Sequence, residues 1–157
     1  MLACLSELIP GANEWPTLKR NVSSQFEARV SLVKVLPSNC IFLEGMNQTI
    51  APIAIAHGEG RFGMESISPE LEKLVCLQYA TPNGEIAGVE DYPYNPNGSL
   101  NGVAGITSPC GRFLAMMPHP ERVVRDVCNT WKEGSLQVFG PWMKMFWNAR
   151  EWCEREL

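Results

Sequence analysis

The sequence contains no long apolar run: none of its 157 residues lies in an uninterrupted hydrophobic stretch of the roughly 18 to 20 residues that a membrane-spanning helix needs. Residues 1–5 are apolar but have no basic flank, and Glu7 and Pro10 follow at once, which is not typical of a secretory signal. We therefore expect a cytoplasmic protein with no membrane partner.

Basic clusters, histidines and paired cysteines are also scarce. The 13 Lys and Arg residues against 17 Asp and Glu give a net charge of −4, and no basic cluster exceeds Lys19-Arg20, which argues against a nucleic-acid partner. Two histidines are too few for a histidine-rich metal site, so no metal is predicted. The six cysteines contain no C-x-x-C spacing, and we expect reduced thiols rather than a disulfide framework.

The sequence does have the turn residues and patterning of a small globular fold, with 13 Gly, 12 Pro and 5 Trp. Hydrophobic spacing predicts helices over 1–9 and 141–156, a short helix over 69–74, and strands over 26–35, 51–56, 75–80, 103–107 and 112–117. The last two strands are predicted to form a hairpin. The pattern favours an open α/β or α+β sheet with helices at both chain ends.

Each predicted terminal helix has one apolar face. Spacings of three and four residues place the following side chains on buried faces: Leu2, Leu5, Leu8 and Ile9 in the first helix, and Trp142, Met145, Phe146, Ala149, Trp152 and Cys153 in the last. Residues 91–101 are too rich in Pro, Asn and Gly for anything but a structured loop.

The sharpest chemical feature is Pro118-His119-Pro120-Glu121, at the end of the last predicted strand. In extended backbone, residues i and i+2 project to the same side about 6 to 7 Å apart, so the Glu121 carboxylate could bond one nitrogen of His119. The other nitrogen would remain as a base, as in a nucleophile–His–acid triad. The alternative is a strand-end histidine that contacts a neighbouring carboxylate without any catalytic role.

A second histidine follows predicted strand 51–56, in the run Ala56-His57-Gly58-Glu59-Gly60-Arg61. Open α/β sheets bind ligands at strand ends of this kind, and glycines permit close approach of the backbone to a small molecule. The alternative is a tight turn in which Glu59 and Arg61 are solvated.

Two weaker features each have a plainer explanation. Residues 95–99, with the sequence NPNGS, could bind an anion through their backbone amides or simply form a rigid loop. Cys4 has no base near it in the sequence and is expected to be a packed thiol.

Six motifs make nearly the whole chain resemble a known family. In order, they are Leu8-Ile9-Pro10-Gly11, Arg20-Asn21-x-Ser23-x-x-Phe26-Glu27-Ala28-Arg29, His57-Gly58-Glu59-Gly60, Asn95-Pro96-Asn97-Gly98-Ser99, Met116-Met117-Pro118-His119-Pro120-Glu121-Arg122 and Gly140-Pro141-Trp142-Met143. The series resembles the C-terminal glutamine amidotransferase domain of phosphoribosylformylglycinamidine synthase, in its large single-chain form.

The resemblance implies a class I glutamine amidotransferase fold and a part in de novo purine biosynthesis. The family hydrolyses glutamine with a Cys-His-Glu triad, through a γ-glutamyl thioester. It passes ammonia to a synthetase region that uses ATP and Mg²⁺ to convert formylglycinamide ribonucleotide to formylglycinamidine ribonucleotide. His119 and Glu121 fall on the family's His and Glu, and His57 and Gly58 fall in a segment that lines the glutamine pocket. No cofactor is expected in this chain itself.

The nucleophile motif of the family does not occur in this sequence. A Gly-Val-Cys-Asn-Gly-Cys-Gln elbow would place the catalytic cysteine five residues before Met1, and the same elbow would supply oxyanion-hole amides. We therefore expect residues 1–157 to be the incomplete C-terminal part of one amidotransferase domain, inactive alone. The expected structure is an open mixed sheet with flanking helices and with the N-terminal strands missing.

Two other functions remain open. The chain could be a non-enzymatic module that completes or docks on a partner chain, and this would need a partner that ends near the elbow. It could instead be a cysteine hydrolase that uses one of its own thiols, and this would need Cys110 or Cys40 close to His119.

Overall fold

The computed structural model describes residues 2–129, 134–135 and 137–156, with side chains from residue 5 onward. The described strands are β1 (Leu18–Lys19), β2 (Glu27–Val35), β3 (Ile50–His57), β4 (Arg61–Phe62), β5 (Val75–Ala80), β6 (Val103–Thr107) and β7 (Leu114–Met116). The described α-helices are α1 (Pro69–Glu72) and α2 (Met143–Glu156), and 3-10 turns cover Leu2–Leu8, Ile41–Leu43, Leu100–Gly102, Pro120–Arg122 and Asp126–Cys128. None of these helices is long and apolar enough to cross a membrane.

Each predicted strand is present in the structure. Strands β3, β2, β5, β6 and β7 form a five-stranded sheet in that order, and β1 pairs with β4 in a small second sheet. Strand β7 is shorter than predicted because the carbonyl of Phe113 closes the hairpin turn, where it accepts a hydrogen bond from Ser108 N at 2.9 Å. All the pairings among the described strands are antiparallel, so the parallel part of the expected mixed sheet is not found among them.

Strand β3 lies at one edge of the sheet, but its outer edge is covered. The carbonyl of Pro52 accepts a hydrogen bond from Trp142 Nε1 at 2.7 Å, and the carbonyl of Ala54 accepts one from His119 N at 2.8 Å. The chain that leaves β7 therefore returns to the opposite edge of the sheet. This return places His119 directly against β3.

The core consists of two clusters of buried side chains, one near α2 and one near the N-terminal segment. The first packs β2, β3 and β5 against the start of α2, and its members include Val33, Ile53, Leu77 and Trp142. The second packs β6 against the segment before β1, and its members include Ile9, Trp15, Phe62 and Ile106. The two clusters fix the sheet whose ends carry the candidate site.

The predicted apolar face of the last helix is only partly correct. Met145 is buried as expected, but Phe146 is 44% exposed and Cys153 is also exposed. Asn148 is buried although this was not predicted. Its side-chain amide donates to one carbonyl inside the Ile41–Leu43 segment, at 2.9 Å, and to the carbonyl of the residue that caps the C-terminal end of that segment, at 2.8 Å. Only a narrow side of α2 therefore packs on the domain.

The amphipathic helix predicted over residues 1–9 is wrong in type. Leu2–Leu8 form 3-10 turns that are interrupted at Leu5, where φ is −111° and ψ is 20°. Leu8 is 78% exposed although Ile9 is buried. A 3-10 helix has about 3.0 residues per turn, so it places Leu8 on the same side as Leu5 and turns the next residue, Ile9, away from both.

Candidate active site

His119 and Glu121 form a hydrogen-bonded pair where the chain beyond β7 meets β3. Nδ1 of His119 lies 2.7 Å from Oε1 of Glu121. A carboxylate only accepts hydrogen bonds, so Nδ1 is the donor of this contact, and in the neutral imidazole Nε2 then carries the lone pair. The predicted contact between the two side chains is confirmed, and it leaves a base available at Nε2.

The backbone joins the two residues through a turn and not through the predicted extended strand. His119, with φ −109° and ψ 83°, is the last residue before the 3-10 turn Pro120–Arg122. Its side chain is 28% exposed and that of Glu121 is 56% exposed. The turn replaces the i, i+2 geometry of a strand, yet it brings both groups together on the solvent side of the sheet.

An apolar groove begins next to this pair. It has a volume of about 220 Å³ and lies between β7 and α2, where it is lined by Phe42, Leu114, Met116, Pro120, Met145, Phe146 and Ala149. Its lining includes Pro120 but not His119. The imidazole therefore lies beside the groove and is itself partly open to solvent.

His57 lies inside the molecule, at the end of β3 and opposite Glu27. It is only 5% exposed, and a Cβ at Gly60 would clash with its ring. Burial, followed by the nearby His119, lowers the pKa of His57 to about 4, although Glu27 and the Met117 carbonyl act in the opposite direction. The ring is therefore neutral at pH 7 and packed against backbone rather than exposed in a pocket.

Gly58 has more space than its neighbour Gly60. It is half-buried, and a Cβ there would meet only Phe26, at 3.9 Å or more. The glycine that packing requires in this turn is Gly60, because it lies against the His57 ring. A role for Gly58 toward a ligand therefore depends on its backbone.

Two asparagines from distant loops hold this turn in place. Asn21 Nδ2 donates to the His57 carbonyl at 2.7 Å, and Asn21 Oδ1 accepts from Gly60 N at 3.1 Å. Asn97 Nδ2 donates to the Gly60 carbonyl at 2.8 Å. Both asparagines belong to motifs of the sequence, but no local pattern predicts their contacts with this turn, because their partners are 36 or more residues away along the chain.

The loop over residues 95–99 uses its own amides internally. The backbone amides of Gly98 and Ser99 donate to the side-chain oxygens of Asn95 and Asn97, at 3.1 and 3.0 Å. Asn95 is buried and donates to carbonyls within and before the loop. Amides engaged in this way are not free for an anion, so the rigid-loop interpretation is the one that fits.

Comparison with known proteins identifies the family. A family model of the CobB/CobQ-like glutamine amidotransferase domain matches residues 1–153. The chain belongs to this family. It is 45% identical to phosphoribosylformylglycinamidine synthase of Saccharomyces cerevisiae, in an alignment that is 166 residues long with its gaps and takes in 96% of the chain. The chain spans 12% of the length of that yeast protein.

A solved structure supports the fold of this amidotransferase domain. A structure of PurLQS from Thermotoga maritima matches with a TM-score of 0.62 and 23% identity, over 88% of this chain and 53% of that one. The α/β fold class and the family inferred from the six motifs are confirmed.

Cys110, one of the exposed thiols of the amidotransferase domain, is remote from His119. Cys110 is in the hairpin turn before β7, whereas His119 lies beyond the other end of that strand. Its Sγ lies 3.3 Å from Ser108 Oγ, and the hydrogen bond from Ser108, with a further one from the Arg112 backbone, lowers the pKa of Cys110 to about 7. The Cys110 thiol is therefore more acidic than an ordinary cysteine, but it has no histidine partner.

Cys40 is a buried thiol at the same end of the hairpin. It is next to Cys76 and Thr107, and the hydrogen bond from the Cys76 thiol lowers the pKa of Cys40 to about 7 in spite of burial. Thr107 pairs with Leu114, at the start of β7, so Cys40 is also separated from His119 by the length of that strand. The side chain of Cys4 lies outside the described residues. Neither Cys40 nor Cys110 meets the requirement of a cysteine hydrolase.

The described part of the chain holds no group of three or more His, Cys, Asp or Glu side chains that could share a metal ion.

Proposed function

We propose that this chain is the glutaminase part of a phosphoribosylformylglycinamidine synthase of purine biosynthesis. In this role it hydrolyses glutamine and supplies ammonia for the conversion of formylglycinamide ribonucleotide to formylglycinamidine ribonucleotide. Membership of the amidotransferase family and the similarity to the yeast enzyme support the proposal. The single observation that carries it is the 2.7 Å contact between His119 Nδ1 and Glu121 Oε1.

In this chemistry Glu121 holds the Nδ1 proton, and Nε2 of His119 removes the proton of a cysteine thiol. The thiolate attacks the γ-amide carbon of glutamine, and the resulting tetrahedral intermediate collapses to a thioester as His119 returns the proton to the departing ammonia. Water, deprotonated by His119, then hydrolyses the thioester to glutamate and restores the thiol. The negative charge of Glu121 stabilises the imidazolium that forms in both halves of the reaction.

The nucleophile in this proposal is a cysteine that precedes residues 1–157 in the full protein. A thiol has to lie within about 3 to 4 Å of Nε2 for the proton transfer, and Cys40 and Cys110 both lie at the far end of β7. The Gly58 backbone, beside His57, remains a candidate contact for bound glutamine. The partner is the synthetase region of the same enzyme, which would hold ATP and Mg²⁺, and we expect a cytoplasmic location.

Thiol trapping tests the proposal. The full-length protein is treated with a glutamine-mimicking alkylator, with and without excess glutamine, and the labelled cysteine is mapped. We expect one glutamine-protected cysteine upstream of Met1, with a labelling rate reduced 100-fold or more in a His119→Asn variant. Protected labelling of Cys40 or Cys110 would support the cysteine hydrolase instead, and the absence of any protected cysteine would support a non-enzymatic module.

A further inference from the structure

The outer edge of β3 presents two neighbouring carbonyl groups to the chain that follows β7. The Ala54 carbonyl accepts a hydrogen bond from His119 N at 2.8 Å. The Pro52 carbonyl accepts one from Trp142 Nε1 at 2.7 Å. Residues 52 and 54 are two apart on one strand, so both carbonyls point to the same edge and lie about 6 to 7 Å from each other. The Trp142 indole therefore lies beside the segment that carries His119.

At Pro52 this edge offers one hydrogen-bonding group and not two. Proline has no backbone N–H, so only its carbonyl is available there. A strand that paired with this residue would leave one of the two usual hydrogen bonds unmade. The indole of Trp142 has a single N–H donor and no acceptor, so it matches the single acceptor of Pro52.

The chain next to β3 pairs with it at one point and then turns away. His119 and Ala54 form an isolated antiparallel bridge. A continued ladder would bring Glu121 opposite Pro52, but the acceptor that it would use is already taken by Trp142. The chain enters its 3-10 turn instead, and in that turn the Glu121 carboxylate lies 2.7 Å from Nδ1 of His119.

Trp142 is held in place by its own packing. It is completely buried, in the core cluster that also contains Ile53 and Val123. Just before it, Gly140 N donates to the Val124 carbonyl at 2.9 Å, so the chain that leads into Trp142 is tied to the chain that leaves the 3-10 turn. The indole is therefore fixed relative to both β3 and the turn.

We infer that Trp142 is a positioning residue for His119: its indole N–H takes the acceptor next to the His119 bridge and ends the pairing with β3 there. The turn that follows then carries Glu121 back to the imidazole. A base works only when it is held in one place, so loss of this donor should make the His119 segment less well placed. The inference rests on the proposed function only where His119 is taken as the base.

Three variants of the full-length protein separate the N–H from the packing of the ring. Trp142→Phe removes the N–H together with part of the ring. Trp142→benzothienylalanine keeps the two-ring shape and replaces the N–H by sulfur, so it removes the donor alone. Trp15→Phe is the matched control, because Trp15 is also buried but its Nε1 has no hydrogen-bond partner among the described residues.

Hydrogen exchange with mass spectrometry reports on His119 through the peptide 117–121. The sequence of this peptide is MPHPE, so only His119 and Glu121 keep a measurable backbone amide hydrogen. The His119 amide is the one that is bonded to β3. We expect it to exchange about tenfold faster in both Trp142 variants and at the wild-type rate in Trp15→Phe. Wild-type exchange in the benzothienylalanine variant, or equal acceleration in Trp15→Phe, overturns the inference.

Kinetics distinguish a positioning role from a general loss of stability. Glutaminase kcat should fall about tenfold in both Trp142 variants, with KM within about twofold of wild type. An unchanged kcat alongside faster exchange would show that the N–H does not position the base, and this also overturns the inference.

The exchange readout does not depend on turnover, so the two proposals fail separately. A protein with no glutaminase activity in any form refutes the proposed function, and the exchange of His119 still decides whether Trp142 fixes its segment. An active protein in which the Trp142 variants leave both exchange and kcat unchanged refutes the positioning role and leaves the proposed function intact.

Discussion

Nδ1 of His119 lies 2.7 Å from Oε1 of Glu121 across a 3-10 turn, and not across the extended backbone that an i, i+2 spacing favours. The backbone of His119 is anchored to β3 by the hydrogen bond from His119 N to the Ala54 carbonyl. The carboxylate can therefore orient the imidazole before any substrate arrives. Such preorganisation is what a general base requires.

Glu121→Gln in the full-length enzyme is expected to lower glutaminase kcat by about 10²- to 10⁴-fold, with little change in KM. The amide can still contact Nδ1, but it carries no charge to stabilise the imidazolium. Steady-state glutamate release measures the effect. Arg122→Gln is the control, since Arg122 Nε is 3.9 Å from the same carboxylate oxygen and is exposed. Similar losses in both variants would contradict a specific role for Glu121.

The free energy of unfolding should fall as the pH drops from about 6.5 to 4, because of His57. Its pKa is about 4 in the folded protein and near 6.5 in the unfolded chain, so in this window the unfolded state binds the extra proton. The stability is fully present above pH 6.5, and the loss amounts to roughly 3 kcal/mol at about 1.4 kcal/mol per pKa unit. Urea unfolding at pH 7, 6 and 5 measures the slope. A His57→Asn variant with the same slope as wild type would refute the assignment.

Much of the sheet could be predicted because its signals are local. The β-branched run of β2 and the apolar run of β5 identify these strands. The short helix predicted over 69–74 begins at Pro69 as expected and ends at Glu72, and Ser68 Oγ caps its start by accepting a hydrogen bond from Leu71 N at 3.1 Å. The contact between His119 and Glu121 was predicted from their spacing on an extended backbone, and it forms across a 3-10 turn instead.

The interior of the site could not be predicted in this way. Asn21, His57, Tyr79 and Asn97 come from four separate segments, and only the folded sheet brings them into one buried network. Phe146 shows the opposite error, in which a local pattern predicts burial and the side chain is exposed. Its helical spacing is that of a buried face, but the described domain covers only the side of α2 that carries Met145 and Asn148.

Asn97→Ala should destabilise the protein by about 2 to 4 kcal/mol. The substitution leaves the Gly60 carbonyl, the Tyr79 hydroxyl and the Ser99 hydroxyl without their partner in a buried setting. Asn83→Ala is the control, because Asn83 is exposed in the turn after β5, and it should change stability by less than about 0.5 kcal/mol. Denaturant midpoints at constant m-value measure both. If Asn97→Ala lowered the free energy of unfolding by less than about 1 kcal/mol, the buried hydrogen bonds of Asn97 would not stabilise the protein as expected.

Cys110 should be alkylated faster at pH 7.4 than Cys128 and Cys153, the other exposed thiols among the described side chains. Its lowered pKa of about 7 favours the thiolate at this pH, and its side chain is open to solvent. Timed labelling with iodoacetamide and peptide mapping measures the rates, and Cys110→Ser should remove the fast phase. Glutamine should give no protection, because the thiol is remote from His119. Protection by glutamine would instead favour the cysteine hydrolase.

Residues 1–157 expressed alone should self-associate or melt at low temperature. Phe146 and Trp147 are exposed together on α2, beside an apolar groove, and Leu8 is exposed at the N-terminal end. Sedimentation and thermal melting measure the two outcomes, and Phe146→Ser should reduce the association without lowering the melting temperature. A monomeric sample with one cooperative, high-temperature transition would contradict this expectation.

The most direct test of the central claim compares two nitrogen sources in the full-length enzyme. Formation of formylglycinamidine ribonucleotide is measured with glutamine and, separately, with ammonium chloride, for wild type and for His119→Gln. If this chain supplies ammonia through His119, the variant loses glutamine-dependent synthesis by 100-fold or more and keeps ammonia-dependent synthesis within about twofold of wild type. Retention of glutamine-dependent synthesis by His119→Gln would contradict the account.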